Sequence, residues 1–169
     1  MIMNEKLTAS DIQKIEEEIE YRKMTLRPKL LEDLKEARAQ GDLSENFEYY
    51  VAKRENNRNN SRIRYLERMI NTADVIEDTT AEDEVGINNR VALYFEEDDL
   101  TETYKIVTGI RSDSLNGYIS IESPLGKAVL GHKVGDRVSI KVNDSYSYFV
   151  KIVELDASTD DSDDKIASY

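Results

Sequence analysis

Two long stretches in which apolar residues recur at steps of three and four meet at a short polar segment, and this spacing constrains the fold more than any other feature. The first runs through Ile12, Ile15, Ile19, Leu26, Leu30, Leu34 and Ala37; the second through Tyr49, Ala52, Asn56, Asn59, Ile63, Leu66, Ile70 and Ala73. On a helix such positions share one stripe, so each stretch predicts an amphipathic helix of roughly 30 residues that buries its stripe against the other. Thr8 and Ser10 are N-cap candidates, with Asp11 and Gln13 three residues further on. Pro28 lies inside the first stretch and predicts a kink, because the seam continues on both sides of it. Gly41 follows the last periodic residue, where a left-handed residue closes a helix. A connection of about five residues makes the pair an antiparallel hairpin about 45 Å long at about 1.5 Å per residue. A rod of two helices has little core per residue, so its length calls for a functional reason.

Beyond the hairpin the pattern changes. Residues 77–86 are acidic and aperiodic and read as a linker. Short runs rich in Val, Ile, Tyr and Thr follow at Arg90–Phe95, Glu102–Thr108, Gly117–Ile121, Arg137–Val142 and Tyr146–Leu155, separated by turn signals such as Asn116-Gly117 and Gly135-Asp136. Ser123–Leu130 predicts one short helix, with Ser123 as N-cap and Pro124 at its first position. The fold class is therefore α+β: a helical hairpin over residues 1–76, a linker over 77–86, an antiparallel β domain with a short helix over 87–157, and an acidic disordered tail over 158–169.

Charge sorts the functional classes. The 169 residues hold 23 basic and 35 acidic side chains, a net charge of −12, which argues against a general binder of nucleic acid or anionic membrane. Residues 21–73 are different, with 12 basic and 8 acidic side chains, net +4. The helix after the tip carries Lys53, Arg54, Arg58, Arg62, Arg64 and Arg68. Such charges are either a solvated helix face or a local footprint for an anionic partner. With no cysteine and one histidine, the chain lacks thiol chemistry and His-rich metal sites. No apolar run approaches the length that spans a bilayer, so no membrane partner is expected and the cytoplasm is the expected setting.

The junction Gly41-Asp42-Leu43-Ser44-Glu45-Asn46 allows two readings. In one, Asp42 caps the second helix and Glu45 completes an acidic capping box. In the other, the tip presents two carboxylates three residues apart, which can give oxygen ligands to one Mg²⁺ but cannot surround it. A partner would have to hold the rest of the ion's shell.

The segment Gly41–Tyr49 resembles the tip motif of the bacterial Gre-type transcript cleavage factors, the GreA/GreB family. Ser123–Asp136, Ser-Pro-Leu-Gly-Lys-Ala-Val-Leu-Gly-His-Lys-Val-Gly-Asp, resembles that family's C-terminal signature. The resemblance covers roughly residues 7–156. It implies an N-terminal coiled coil and a C-terminal domain like the FK506-binding proteins. It implies a transcription elongation factor, not itself an enzyme, that docks at the rim of the secondary channel of bacterial RNA polymerase. Asp42 and Glu45 correspond to the acidic tip pair that shares Mg²⁺ with the polymerase, with Ser44 between them as support; no cofactor is expected on the chain alone. Arg38, Lys53 and Arg54 are the candidates for contact with the displaced 3′ segment of nascent RNA, and Ser123, Pro124 and Leu125 for docking. A monomer is expected. The competing readings are a channel-binding regulator without cleavage and, from another class, a chaperone or prolyl isomerase. The segment from residue 80 to 157 lacks Trp and holds two Phe, so it offers little for an aromatic-lined isomerase pocket.

Overall fold

The computed structural model describes residues 4–41 and 46–168. The chain forms two compact units, one spanning Asp11–Asp74 and the other combining Glu5–Ser10 with the chain from Val75 onward.

The helical unit consists of α1 (Ala9–Tyr21), a π-helical turn (Arg22–Leu26), α2 (Arg27–Ala39) and α3 (Phe47–Thr72). Four members of the periodic seam, Ile15, Ala37, Ile63 and Leu66, are core residues, and Met69, one position before the seam residue Ile70, is buried with them. The irregularity expected at Pro28 falls just ahead of it. Pro28 sits in the first turn of α2, and the widened turn before it closes with Arg27 N–H donating to the Arg22 carbonyl. A proline cannot donate to the carbonyl four residues back and crowds it; a π turn immediately upstream accommodates both effects.

Asn59 of the seam and its neighbour Asn60 complete this turn. Asn59 donates from Nδ2 to the Arg22 carbonyl at 3.2 Å and accepts from the Arg22 guanidinium at 3.0 Å, while Arg27 Nε donates to Asn60 Oδ1 at 3.1 Å. One turn along, Glu18 Oε2 accepts from Arg22 Nε and from Arg62 Nε, each at 2.8 Å. Arg62 is 5% exposed and Asn59 2%. Burial alone would raise the Glu18 pKa, but hydrogen bonds from Arg62 and Arg22 outweigh it and hold the carboxyl below its ordinary value. Weak helix formers on the second helix are thus partners of a helix defect on the first.

Short strands β1 (Lys6–Leu7) and β2 (Asp74–Val75) pair as a two-stranded ribbon, and the chain from Val75 onward belongs to the other unit. Its main sheet holds β3 (Arg90–Phe95), β4 (Leu100–Val107), β5 (Tyr118–Ser120), β6 (Arg137–Asn143) and β7 (Tyr146–Asp156) in the order β5-β4-β3-β7-β6. Three of the four pairings are antiparallel; β4 and β5 run parallel, a detail absent from the sequence reading. The crossover between them is made by two 3₁₀ turns, Gly109–Arg111 and Ser114–Asn116, and Gly117 leaves the second at φ +79°. Alternate residues point into one core: Val91 and Leu93, Val138 and Ile140, Val150 and Ile152, joined by Ile106, Ile121 and Val129. Val129 comes from the short helix α4 (Pro124–Val129).

Two boundaries differ from expectation. The end of the predicted linker is part of the sheet unit, since Val85 is fully buried and exchanges backbone hydrogen bonds at 2.8 Å with Gly131 and His132. The predicted disordered tail is held against the sheet unit, with Asp164 6% exposed between Lys105 and Arg111. An acidic tail stays solvated only where no buried cation awaits it.

Candidate functional site

The tip was expected to carry Asp42, Ser44 and Glu45, and these three lie outside the described residues. Their flanks are defined. On the α2 side, Gln40 N–H donates to the Ala37 carbonyl at 3.3 Å and Gly41 follows at φ +115°. On the α3 side, Asn46 is the N-cap: its Oδ1 accepts from Tyr49 N–H at 3.0 Å, and its Nδ2 donates across to the Ala37 carbonyl at 2.7 Å. The capping box read for Asp42 and Glu45 lies outside the described residues. α3 starts at Phe47 and takes its cap from Asn46, whose amide, unlike a carboxylate, can also donate. That double role was not foreseen, because it depends on Ala37 facing Asn46 across the turn.

Of the basic candidates, Arg38, Lys53 and Arg54 are all exposed. The Arg38 guanidinium lies over the ring of Tyr49, 5.7 Å from its centroid. Arg58 pairs loosely with Glu55 at 3.8 Å. Arg62, read earlier as part of the same charged face, is instead buried on Glu18. Phe47 is 75% exposed and, with Leu30, Val51 and Ala52, lines a groove of about 420 Å³ rimmed by Asp33, Glu36, Glu48 and Glu55. Periodicity does not point to this groove, since Phe47 and Val51 fall off the seam.

In the sheet unit, Ser123 is the N-cap of α4 as predicted, accepting from Gly126 N–H at 3.1 Å while donating to the Ser120 carbonyl at 2.7 Å. Gly126 allows this close approach, because a Cβ there would lie 2.0 Å from the Ser120 carbonyl oxygen. Pro124 is exposed and Leu125 half-buried against the core. Of the docking candidates, Pro124 and part of Leu125 are thus open to a partner, while the Ser123 hydroxyl is engaged within the fold. Beyond α4, Asp136 accepts from Lys133 N–H and from His132 Nδ1, both at 3.0 Å, and these bonds hold its carboxyl below the ordinary value.

Comparison with known proteins decides what these features belong to. The family model for the N-terminal region of transcription elongation factors of the GreA/GreB type matches residues 5–75, and the model for their C-terminal region matches residues 80–157. This chain belongs to the GreA/GreB family of transcription elongation factors. It is 45% identical over 137 residues to transcription elongation factor GreA of Thermoanaerobacter pseudethanolicus, covering 80% of this chain and 87% of that one. GreA of Macrococcus caseolyticus is 40% identical over 149 residues, covering 88% of this chain and 94% of the relative. A crystal structure of GreA factor homolog 1 (Gfh1) of Thermus thermophilus aligns with 92% of this chain and all of that one, at 24% identity and a TM-score of 0.43.

The tip carboxylates expected to give oxygens to Mg²⁺ lie outside the described residues. Among the described residues no group of three or more His, Asp or Glu is placed to hold a metal ion. Two hard carboxylate donors suit Mg²⁺, which takes few protein oxygens and completes its shell with water, phosphate or a second protein.

Proposed function

We propose that this chain enters the secondary channel of bacterial RNA polymerase and stimulates cleavage of the nascent RNA in backtracked complexes, so that stalled transcription resumes. Membership of the GreA/GreB family over both of its regions carries this reading. In it, Asp42 and Glu45 at the hairpin tip give carboxylate oxygens to a Mg²⁺ otherwise held by the polymerase, with Ser44 supporting the turn. Such an ion stabilises the charge on the attacking and leaving oxygens of phosphodiester hydrolysis. The chain is then an accessory factor, and the chemistry belongs to the polymerase.

The other residues position this pair. Asn46 caps α3 one residue beyond Glu45 and ties the start of α3 to the end of α2, fixing where the tip leaves the rod. Lys53, Arg54 and Arg38, exposed on the same end, suit the phosphates of the extruded RNA. Pro124 and Leu125 form the proposed contact with the channel rim.

The test is RNA shortening in backtracked polymerase complexes with the full chain, with Asp42→Asn and with Glu45→Gln. Because Asn46 supplies the α3 cap, loss of activity in Asp42→Asn cannot come from an uncapped helix. The reading expects stimulation by the parent chain and its near-complete loss in both variants. Undiminished stimulation by either variant contradicts a role for that carboxylate, and the absence of cleavage with the parent chain favours the non-cleaving channel regulator.

A further inference from the structure

Among the described residues of the sheet unit, Asp164 is the only buried acid, and it lies beyond residue 157, where the family match ends. Its receptors lie inside that match. Lys105 Nζ donates to Asp164 Oδ1 at 2.7 Å and to the Asp160 carbonyl at 2.5 Å, while Arg111 Nη1 donates to Asp164 Oδ2 at 2.7 Å and to Asn88 Oδ1 at 2.6 Å. The side chains of Lys105, Arg111 and Asp164 are 4%, 0% and 1% exposed. Two buried cations thus both bond the Asp164 carboxylate, and they would be strongly unfavourable without an anion.

The receptor reads shape as well as charge. Residues 160–164 form a turn, with Asp164 N–H donating to the Asp161 carbonyl at 3.1 Å and Ser162 N–H to Asp160 Oδ1 at 3.1 Å. Lys105 bonds both ends of it. Thr159 donates its hydroxyl to the Asn88 carbonyl, and Ala167 N–H donates to the Ile110 carbonyl at 2.7 Å. Apolar burial contributes little to the hold, since Ile166 and Ala167 are only half-buried and line, with Asn116 and Tyr118, a cavity of about 420 Å³. A segment fixed by a few polar contacts releases more readily than one packed into a core.

We propose that Lys105, Arg111 and Asn88 form a binding site for an acidic peptide turn, filled in cis by the chain's own Asp160–Asp164 segment, which acts as a releasable clasp. When the clasp opens, the site accepts another acidic turn of the same pattern.

Two measurements on the full-length chain test this. The first is hydrogen exchange at the Ala167 amide in the parent, in Asp164→Asn and in Asp163→Asn, a control that removes the same charge from an exposed neighbour. Exchange should accelerate roughly tenfold or more in Asp164→Asn and stay at the parent rate in Asp163→Asn. The second needs no substitution: a synthetic peptide of residues 158–168 is added to the parent chain. A tethered segment has an effective concentration on the order of millimolar, so several millimolar peptide should accelerate Ala167 exchange, and a peptide with Asn in place of Asp164 should not. Equal exchange in all three chains, or indifference of the parent to both peptides, overturns the proposal.

Discussion

Replacing Glu18 by Ala removes a carboxylate that accepts from both Arg22 and Arg62, at 2.8 Å each. Removing one partner of a fully buried ion pair costs about 3–5 kcal/mol. Here the Glu18 side chain is 25% exposed while that of Arg62 is 6% exposed, so water screens one side of the pair. A cost of about 2 kcal/mol is the reasonable expectation. For a cooperative unit of 60 to 100 residues that corresponds to a fall in Tm of roughly 10 °C, read by the helical circular dichroism signal. Arg62→Met should cost less, because Glu18 keeps Arg22 and the methionine fills the vacated space. The pH dependence follows from the depressed Glu18 pKa. Its contribution is complete above the ordinary glutamate value of 4.5 and is lost as pH falls through the lower native value, so Glu18→Ala should flatten the acid limb of the stability profile. A loss below about 0.5 kcal/mol, or a larger loss in Arg62→Met, refutes the view that this carboxylate organises the π turn and the seam.

Three further outcomes are expected. Asn46→Ala should lower helical stability by about 1 kcal/mol through loss of the cap, and Asn46→Asp should restore the cap but not the bond to Ala37, which chemical denaturation of the three chains will resolve. Gly126→Ala forces a methyl into the Ser120 carbonyl at 2.0 Å and should destabilise the sheet unit by about 1–3 kcal/mol in thermal melts. Charge reversal of Lys53 and Arg54 should weaken cleavage stimulation most at low salt and flatten its salt dependence, as measured by titrating KCl in the cleavage assay.

The sequence made the strands and the apolar seam legible because both rest on local periodicity. Arg90–Phe95 was read with its observed bounds, and Ser123 was identified as the cap of α4. What escaped it depends on distant partners. Asn59 and Arg62 look like weak helix formers and surface charge until Arg22 and Glu18, 37 and 44 residues away, are placed against them. Asp164 reads as one of several solvated aspartates, and only Lys105 and Arg111, 59 and 53 residues away, make it a core residue. Asn46 reads as one of several polar residues at the tip; its cap on α3 and the contact of its amide with Ala37 show only in the fold. The candidate tip was legible as a motif, and the carboxylates themselves fall outside the described residues.

The central claim is that the tip lends ligands to an ion it does not hold alone, and the Mg²⁺ dependence of stimulated cleavage tests it most directly. With polymerase saturated by factor, Asp42→Asn should need a several-fold higher Mg²⁺ concentration to reach half its maximal rate than the parent chain, since a carboxamide is a poorer ligand. An unchanged midpoint, whatever the maximal rate, would contradict a ligand role for Asp42.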